Sequence, residues 1–110
     1  MNKYGNRVIE TEDGKFDSQR EYKRWCELKL LQRGKLISNL KRQVSFELIP
    51  PQRDKDTNKL VERACCYIAD FVYTMDGKMV VEDTKGMKTK EYIIKRKLML
   101  KEYGIRIQEV

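Results

Sequence analysis

Cys65-Cys66-Tyr67-Ile68-Ala69-Asp70-Phe71-Val72-Tyr73-Thr74-Met75-Asp76-Gly77-Lys78-Met79-Val80-Val81-Glu82-Asp83-Thr84-Lys85-Gly86 reads as two strands and a tight turn. Tyr67 to Tyr73 is rich in β-branched and aromatic side chains, which suit a pleated surface. Asp76-Gly77 is a two-residue turn signal of the I′ type, because both residues tolerate positive φ. Met79 to Lys85 is the return strand. With the turn there, paired residue numbers share one sum, and Asp70 falls opposite Asp83. Side chains alternate along a strand, so Lys85 shares the face of Asp83. A bulged turn would slip the pairing by one and part the two carboxylates.

Such a patch is costly for a fold alone. Two carboxylates about 5 Å apart repel by roughly 3 kcal/mol at an effective dielectric near 20. Ile68, Val72, Met79 and Val81 share the face, so the spacing predicts a largely apolar setting. A hard divalent cation offsets the repulsion, and oxygen ligands suit magnesium. Lys85 neutralises part of the charge, or positions and activates a nucleophilic water. The plainer alternative is a solvated face with a Lys–Asp ion pair.

The 110 residues fit one domain, spanning 1–110. No apolar run approaches the roughly 20 residues of a membrane span. The N-terminal stretch has no secretory hydrophobic region, which predicts a cytoplasmic protein. Histidine is absent, which excludes His-based triads and His metal ligands. Proton transfer then falls to carboxylates, lysine or metal-bound water. Three cysteines, two of them adjacent, match neither a disulfide framework nor a zinc pattern. The net charge of +7 suggests a polyanionic partner, most simply nucleic acid.

Residues 1–17 form an N-terminal arm or small hairpin, with Lys3 and Arg7 placed to meet phosphates. Ser18 to Arg33 is the first helix, with a Ser18-x-x-Glu21 capping box and Gly34 as its stop. Glu21, Trp25 and Leu28 share the face that packs on the sheet. Glu21 therefore has two readings: a helix-cap partner whose carboxylate accepts the N-cap amide hydrogen, or a third carboxylate that reaches the Asp70–Asp83 patch and completes a metal site. Lys41 to Ile49 alternates as a strand and ends at Pro50-Pro51. Gln52 to Arg63 reads as a charged loop. Tyr67, Ala69, Phe71, Tyr73 and Val80 make the hairpin's second face apolar too, so the sheet is covered on both sides. Thr89 caps a helix over Lys90 to Tyr103, and Gly104 ends it. Lys88, Lys90, Lys95, Lys97 and Lys101 make this segment basic and suit phosphate contacts. Ile105 to Val110 is a last strand, parallel to Met79–Lys85 through a right-handed crossover.

The order is helix, three strands, helix, strand (α-β-β-β-α-β), with Asp70 on the second strand and Asp83-Thr84-Lys85 on the third. In this it resembles the PD-(D/E)XK nuclease superfamily. It looks closest to small phage endonucleases that cut branched DNA, of the Holliday-junction-resolvase kind, and to a related phage and prophage family of uncharacterised domains. Phe16 to Glu21, Tyr67 to Phe71, Val81 to Gly86 and Tyr103 to Ile105 carry the likeness. It departs at Ala69, where that superfamily often has proline. The resemblance implies an α/β, restriction-endonuclease-like core, with a central mixed sheet flanked by helices on both faces. It implies magnesium, replaceable by manganese, on Asp70 and Asp83, with Glu21 as the helix-borne acid. Lys85 would orient the attacking water and stabilise developing charge. Branched or flapped DNA would be the substrate, a homodimer the working form, and the cytosol of a phage or prophage host its location. Glu82 points to the other face and is a reserve ligand only.

Two function classes follow: a magnesium-dependent endonuclease, and a non-catalytic nucleic-acid-binding module that keeps the fold. Both require salt-sensitive DNA binding. The logarithm of the association constant should fall linearly with the logarithm of salt concentration, and Lys95→Ala with Lys97→Ala should weaken binding to all sequences alike. Filter binding across a salt series checks this. Salt-insensitive binding, or none, would remove nucleic acid as the partner.

Overall fold

The computed structural model describes residues 7–110. Asp76 and Gly77 take positive φ of 53° and 76°, as a I′ turn demands. The chain runs through β1 (Ile9–Thr11), β2 (Gly14–Phe16), α1 (Gln19–Arg33), β3 (Ser38–Ile49), β4 (Gln52–Arg53), β5 (Leu60–Glu62), β6 (Cys65–Met75), β7 (Lys78–Asp83), α2 (Lys90–Tyr103) and β8 (Gln108–Glu109). The main sheet has the order β3-β6-β7-β8. β6 pairs antiparallel with β3 and β7, and β8 runs parallel to β7. This is a mixed α/β fold with two helices. Among the described residues, no helix is long and apolar enough to cross a membrane.

Local chemistry explains most boundaries. Ser18 Oγ accepts from the Glu21 backbone N–H at 3.1 Å, and Thr89 Oγ1 accepts from that of Tyr92 at 3.1 Å. Gly104 ends α2 in the left-handed region at φ 66°. The end of α1 differs from the expected glycine stop. Gly34 keeps φ −78°, and Lys35 takes the left-handed turn at φ 63°. The Leu36 N–H then bonds to the Leu31 carbonyl at 2.9 Å, which satisfies an end carbonyl of the helix. Gln52–Arg63 is not a plain loop: β4 and β5 pair as a small antiparallel hairpin. The N-terminal hairpin also forms, with Thr11 opposite Gly14.

Each face of the sheet has its own core. Leu48, Tyr67, Ala69, Val72 and Val81 pack with Tyr92 and Met99 of α2. Phe71, Tyr73 and Ile37 pack with Leu28 of α1. Strict alternation would put Tyr67 and Ala69 on the face of Phe71 and Tyr73. They lie on the other one, so β6 reverses its faces between Ala69 and Phe71. β3 reverses with it: Leu40 packs toward α1, whereas Val44 and Phe46 pack toward α2. The paired residues Arg42–Phe71 and Val44–Ala69 flank the reversal without a register shift. Between them Gln43 adopts φ 52°. Asp70 is the residue of β6 at this reversal.

Tyr67 and Ala69 do not share a face with Phe71. Ile68 and Met79 are 55% and 56% exposed, so the apolar face expected around Asp70 is not buried throughout. β7 stops at Asp83, two residues before Lys85. Glu82, as expected, faces away from Asp83's side. It accepts a two-pronged bond from Arg24, at 2.8 and 2.7 Å, and a short one from the Tyr73 hydroxyl. Burial, then this carboxylate, pushes the Tyr73 hydroxyl up to about 12. Glu82 is 1% exposed, so its charge depends on Arg24. Arg24→Ala should therefore lower unfolding stability by about 3 kcal/mol, the low end of the cost of orphaning a buried charge, because Arg24 is partly solvated. Arg24→Ala with Glu82→Leu should recover much of the loss. Denaturant melts of both variants check this; a single variant as stable as the wild type would show that the pair does not anchor α1.

Candidate active site

The β6–β7 ladder ends at Phe71–Glu82, and one further step sets Asp70 beside Asp83. Asp83 is 1% exposed. Its Oδ2 accepts from the Tyr67 hydroxyl at 2.7 Å, and its Oδ1 from the Lys85 backbone N–H at 2.9 Å. Asp70 Oδ2 accepts from the Thr84 N–H and the Thr84 hydroxyl, both at 2.8 Å. Asp70 Oδ1 has only the Gln43 side-chain amide, at 3.4 Å. Burial pushes the Asp83 carboxyl above its usual range and the charge of Asp70 adds to this, against the Tyr67 hydroxyl, Lys85 and its backbone amide. Burial, then Asp83, pushes the Tyr67 hydroxyl up as well.

Glu21 enters from α1. It is 3% exposed, and Arg42 Nη2 stands 3.6 Å from its Oε2. Its carboxyl is pushed up to about 7, by burial first and then by the charges of Asp70 and Asp17; Arg42 and the Asp17 backbone amide act the other way. Its backbone N–H serves the helix cap while its side chain lies in the field of Asp70. Only the Ser18 half of the capping box forms: among the described residues no bond runs from the Ser18 N–H to the Glu21 carboxylate.

Arg42 was not legible as a site residue. Its guanidinium carbon lies 3.6 Å from the centre of the Phe16 ring, and it donates to the Asp13 and Lys15 carbonyls at 3.2 and 2.6 Å. It thus pins the N-terminal hairpin over Glu21. Alternation with Val44, Phe46 and Leu48 would place Arg42 on the α2 side, but the reversal of β3 turns it to the α1 side, toward Phe16 and Glu21. Tyr67, Thr84 and Gln43 were also missed as carboxylate partners.

Lys85 lies past the strand, exposed, with its ammonium 5.6 Å from the Tyr92 ring centre. Its place comes from the Asp83–Lys85 turn, not from strand alternation. Of the basic residues, Lys88 pairs with Glu109 at 3.1 Å, Lys95 with Glu91 at 3.4 Å and Lys101 with Glu102 at 3.8 Å. Among the described residues Lys90 and Lys97 make no ion pair and are exposed, as is Arg7. Lys3 lies outside the described residues.

Among the described residues, no three His, Cys, Asp or Glu side chains are arranged to hold a metal ion as they stand. Magnesium does not need such a cage. It keeps several waters and binds through one or two carboxylates plus substrate phosphate. Asp70, with one weakly engaged oxygen, and Asp83, with a destabilised charge, are of that chemistry.

The chain belongs to the family described as "Protein of unknown function (DUF1064)", whose model matches residues 1–108. No curated protein and no solved structure matches it significantly.

The raised Glu21 carboxyl fixes a sign. Between its ordinary 4.5 and about 7, Glu21 is protonated when folded and ionised when unfolded. The folded state then holds more protons, so stability falls as pH rises through that window. Asp83 acts in the same direction, so the comparison must remove Glu21 alone. The melting temperature of the wild type should drop more than that of Glu21→Gln between about pH 5 and pH 8. Parallel curves in calorimetry would show that Glu21 titrates normally.

Proposed function

We propose that this chain is a metal-dependent endodeoxyribonuclease with a restriction-endonuclease-like core, related to the PD-(D/E)XK nucleases. Its substrate is branched or flapped DNA in the cytosol of a phage or prophage host. The observation that carries this is that Asp70 stands between two buried acids, its charge raising the carboxyls of both Glu21 and Asp83, with Lys85 acting on Asp83 from two residues further on. Asp70 and Asp83 would hold magnesium, and manganese could replace it. When bound, the ion supplies Lewis acidity at the scissile phosphate.

The chain's own residues supply the rest. Lys85 brings positive charge to the phosphate and stabilises the charge that develops on its oxygens. Glu21, poised near neutrality, takes a proton from the attacking water. Water adds to phosphorus, one P–O bond to a deoxyribose oxygen breaks, and that oxygen takes a proton from bulk water, to which Glu21 returns its own. Arg42 keeps Glu21 in place. Lys88, Lys90, Lys95, Lys97 and Lys101, with Lys3 and Arg7, track the phosphate backbone. Cutting both strands of a branch calls for two sites, which a symmetric pair of chains supplies.

One observation favours a second reading, a nucleic-acid-binding module without catalysis. Three of the four Asp70 and Asp83 oxygens accept strong bonds from Tyr67, Thr84 or Lys85. Single-turnover cleavage of a labelled four-way junction and a linear duplex, with magnesium or manganese, separates the two. Asp83→Asn and Lys85→Ala should each lose about 10²–10³-fold in rate or more while still melting cooperatively. Asparagine is preferable to alanine at position 83, because alanine would leave the buried Tyr67 hydroxyl without an acceptor. Full activity in Asp83→Asn would sink the proposed site.

A further inference from the structure

Of β6, only Phe71–Met75 pairs with β7, so the first half of β6 has one edge that β7 leaves uncovered. A cavity of about 200 Å³ opens there, between that edge and the start of α2. Tyr67, Ile68, Lys85, Thr89, Tyr92 and Lys95 line it, with Cys66 and Glu91. Two of these residues tie the cavity to the candidate active site. Tyr67 bonds to Asp83, and Lys85 belongs to the proposed catalytic set.

The lining has two chemistries. Ile68, half-exposed, gives aliphatic surface, and the buried Tyr67 and Tyr92 close the floor. Lys85 and Lys95 give positive charge at the mouth. Lys95 is drawn in rather than fanned into water: its side chain is 27% exposed, against 77% for Lys101 on the same helix. Glu91 holds it and offers a carboxylate that accepts from an amino group. Size sets the limit. An apolar cavity of roughly 150 Å³ accommodates a benzene. The volume here therefore takes one heterocyclic ring system and no base pair.

We infer that this pocket receives a single unstacked base of a DNA strand, while Lys85 and Lys95 hold the phosphate attached to it. The inference rests on the nuclease reading for its setting and deepens it by naming how the substrate class is selected. A base in continuous duplex is stacked and paired and cannot enter. A base at a flap, a branch point or a single strand enters without unpairing, so selectivity for branched DNA follows from the shape of the pocket.

The test uses the full chain without divalent metal, so that cleavage does not intervene. A labelled single-stranded hexamer and the same hexamer with one central abasic position are titrated while backbone amide resonances are followed. The expected result is movement of the Ile68, Thr89 and Lys95 amides with the intact strand. Affinity should fall at least about fivefold for the abasic strand. Ile68→Ser, at an exposed position outside the core, should shrink that ratio toward one. Equal affinity for both strands overturns the inference. So does movement confined to other residues, and so does failure to bind either strand. A separate cleavage assay keeps the two readings apart. Base capture without any cleavage retains the pocket and removes the hydrolase; cleavage that is indifferent to the abasic position retains the hydrolase and removes the pocket.

Discussion

Asp70 Oδ2 accepts two bonds from one residue, the backbone N–H and the hydroxyl of Thr84, each at 2.8 Å. This clamp sits where the β6–β7 ladder stops. Without it, the chain beyond Asp83 would have no bond to β6 at that point. With it, Thr84 is buried, the Asp83–Lys85 turn follows, and the path to Thr89 and α2 is set. The clamp also needs the face reversal at Gln43 and Asp70, which brings an acid that alternation would bury with one core to the seam between two. A residue with β-branching at position 43 would resist the positive φ found there.

Glu82 and Asp83 show how adjacent carboxylates diverge. Strand geometry sends them to opposite faces. Glu82 meets Arg24 and Tyr73, which satisfy both of its oxygens, and it becomes a tie between sheet and helix. Asp83 meets another acid and a phenol, and its charged form is disfavoured. Glu21, on the other side of the cluster, is held near neutrality by burial and by Asp70. Groups pushed away from their ordinary range in one place are the usual mark of acid–base work or cation binding. Glu82, with both oxygens satisfied, is the internal contrast to Glu21 and Asp83.

Much of this frame was legible from short-range chemistry. Ser18, Thr89 and Gly104 mark helix ends because their side chains, or lack of one, act within a turn. Asp76-Gly77 fixes the hairpin register because only such residues take two positive φ values readily. That register brought Asp70 and Asp83 together on paper. The reversal of β6 was not legible. It depends on Gln43, on a different strand, in a conformation its type rarely adopts. The end of α1 at Arg33 was legible, but Lys35 rather than Gly34 takes the left-handed turn there. The small hairpin of Gln52–Arg63 has no buried residue, so no alternation announces it. Arg42 and Tyr67 belong to the site through contacts between distant segments, and no local pattern carries that information.

Diffraction from crystals grown with manganese, measured at the anomalous edge of that metal, is the most direct test of the acid cluster. The expected result is one strong anomalous peak within coordination distance of both Asp70 and Asp83, with Asp83 turned from Tyr67 or Asp70 from Thr84 to meet it. Absence of a peak there, with both carboxylates still bonded to Thr84, Tyr67 and Lys85, would contradict a metal centre and leave the cluster as a structural seam.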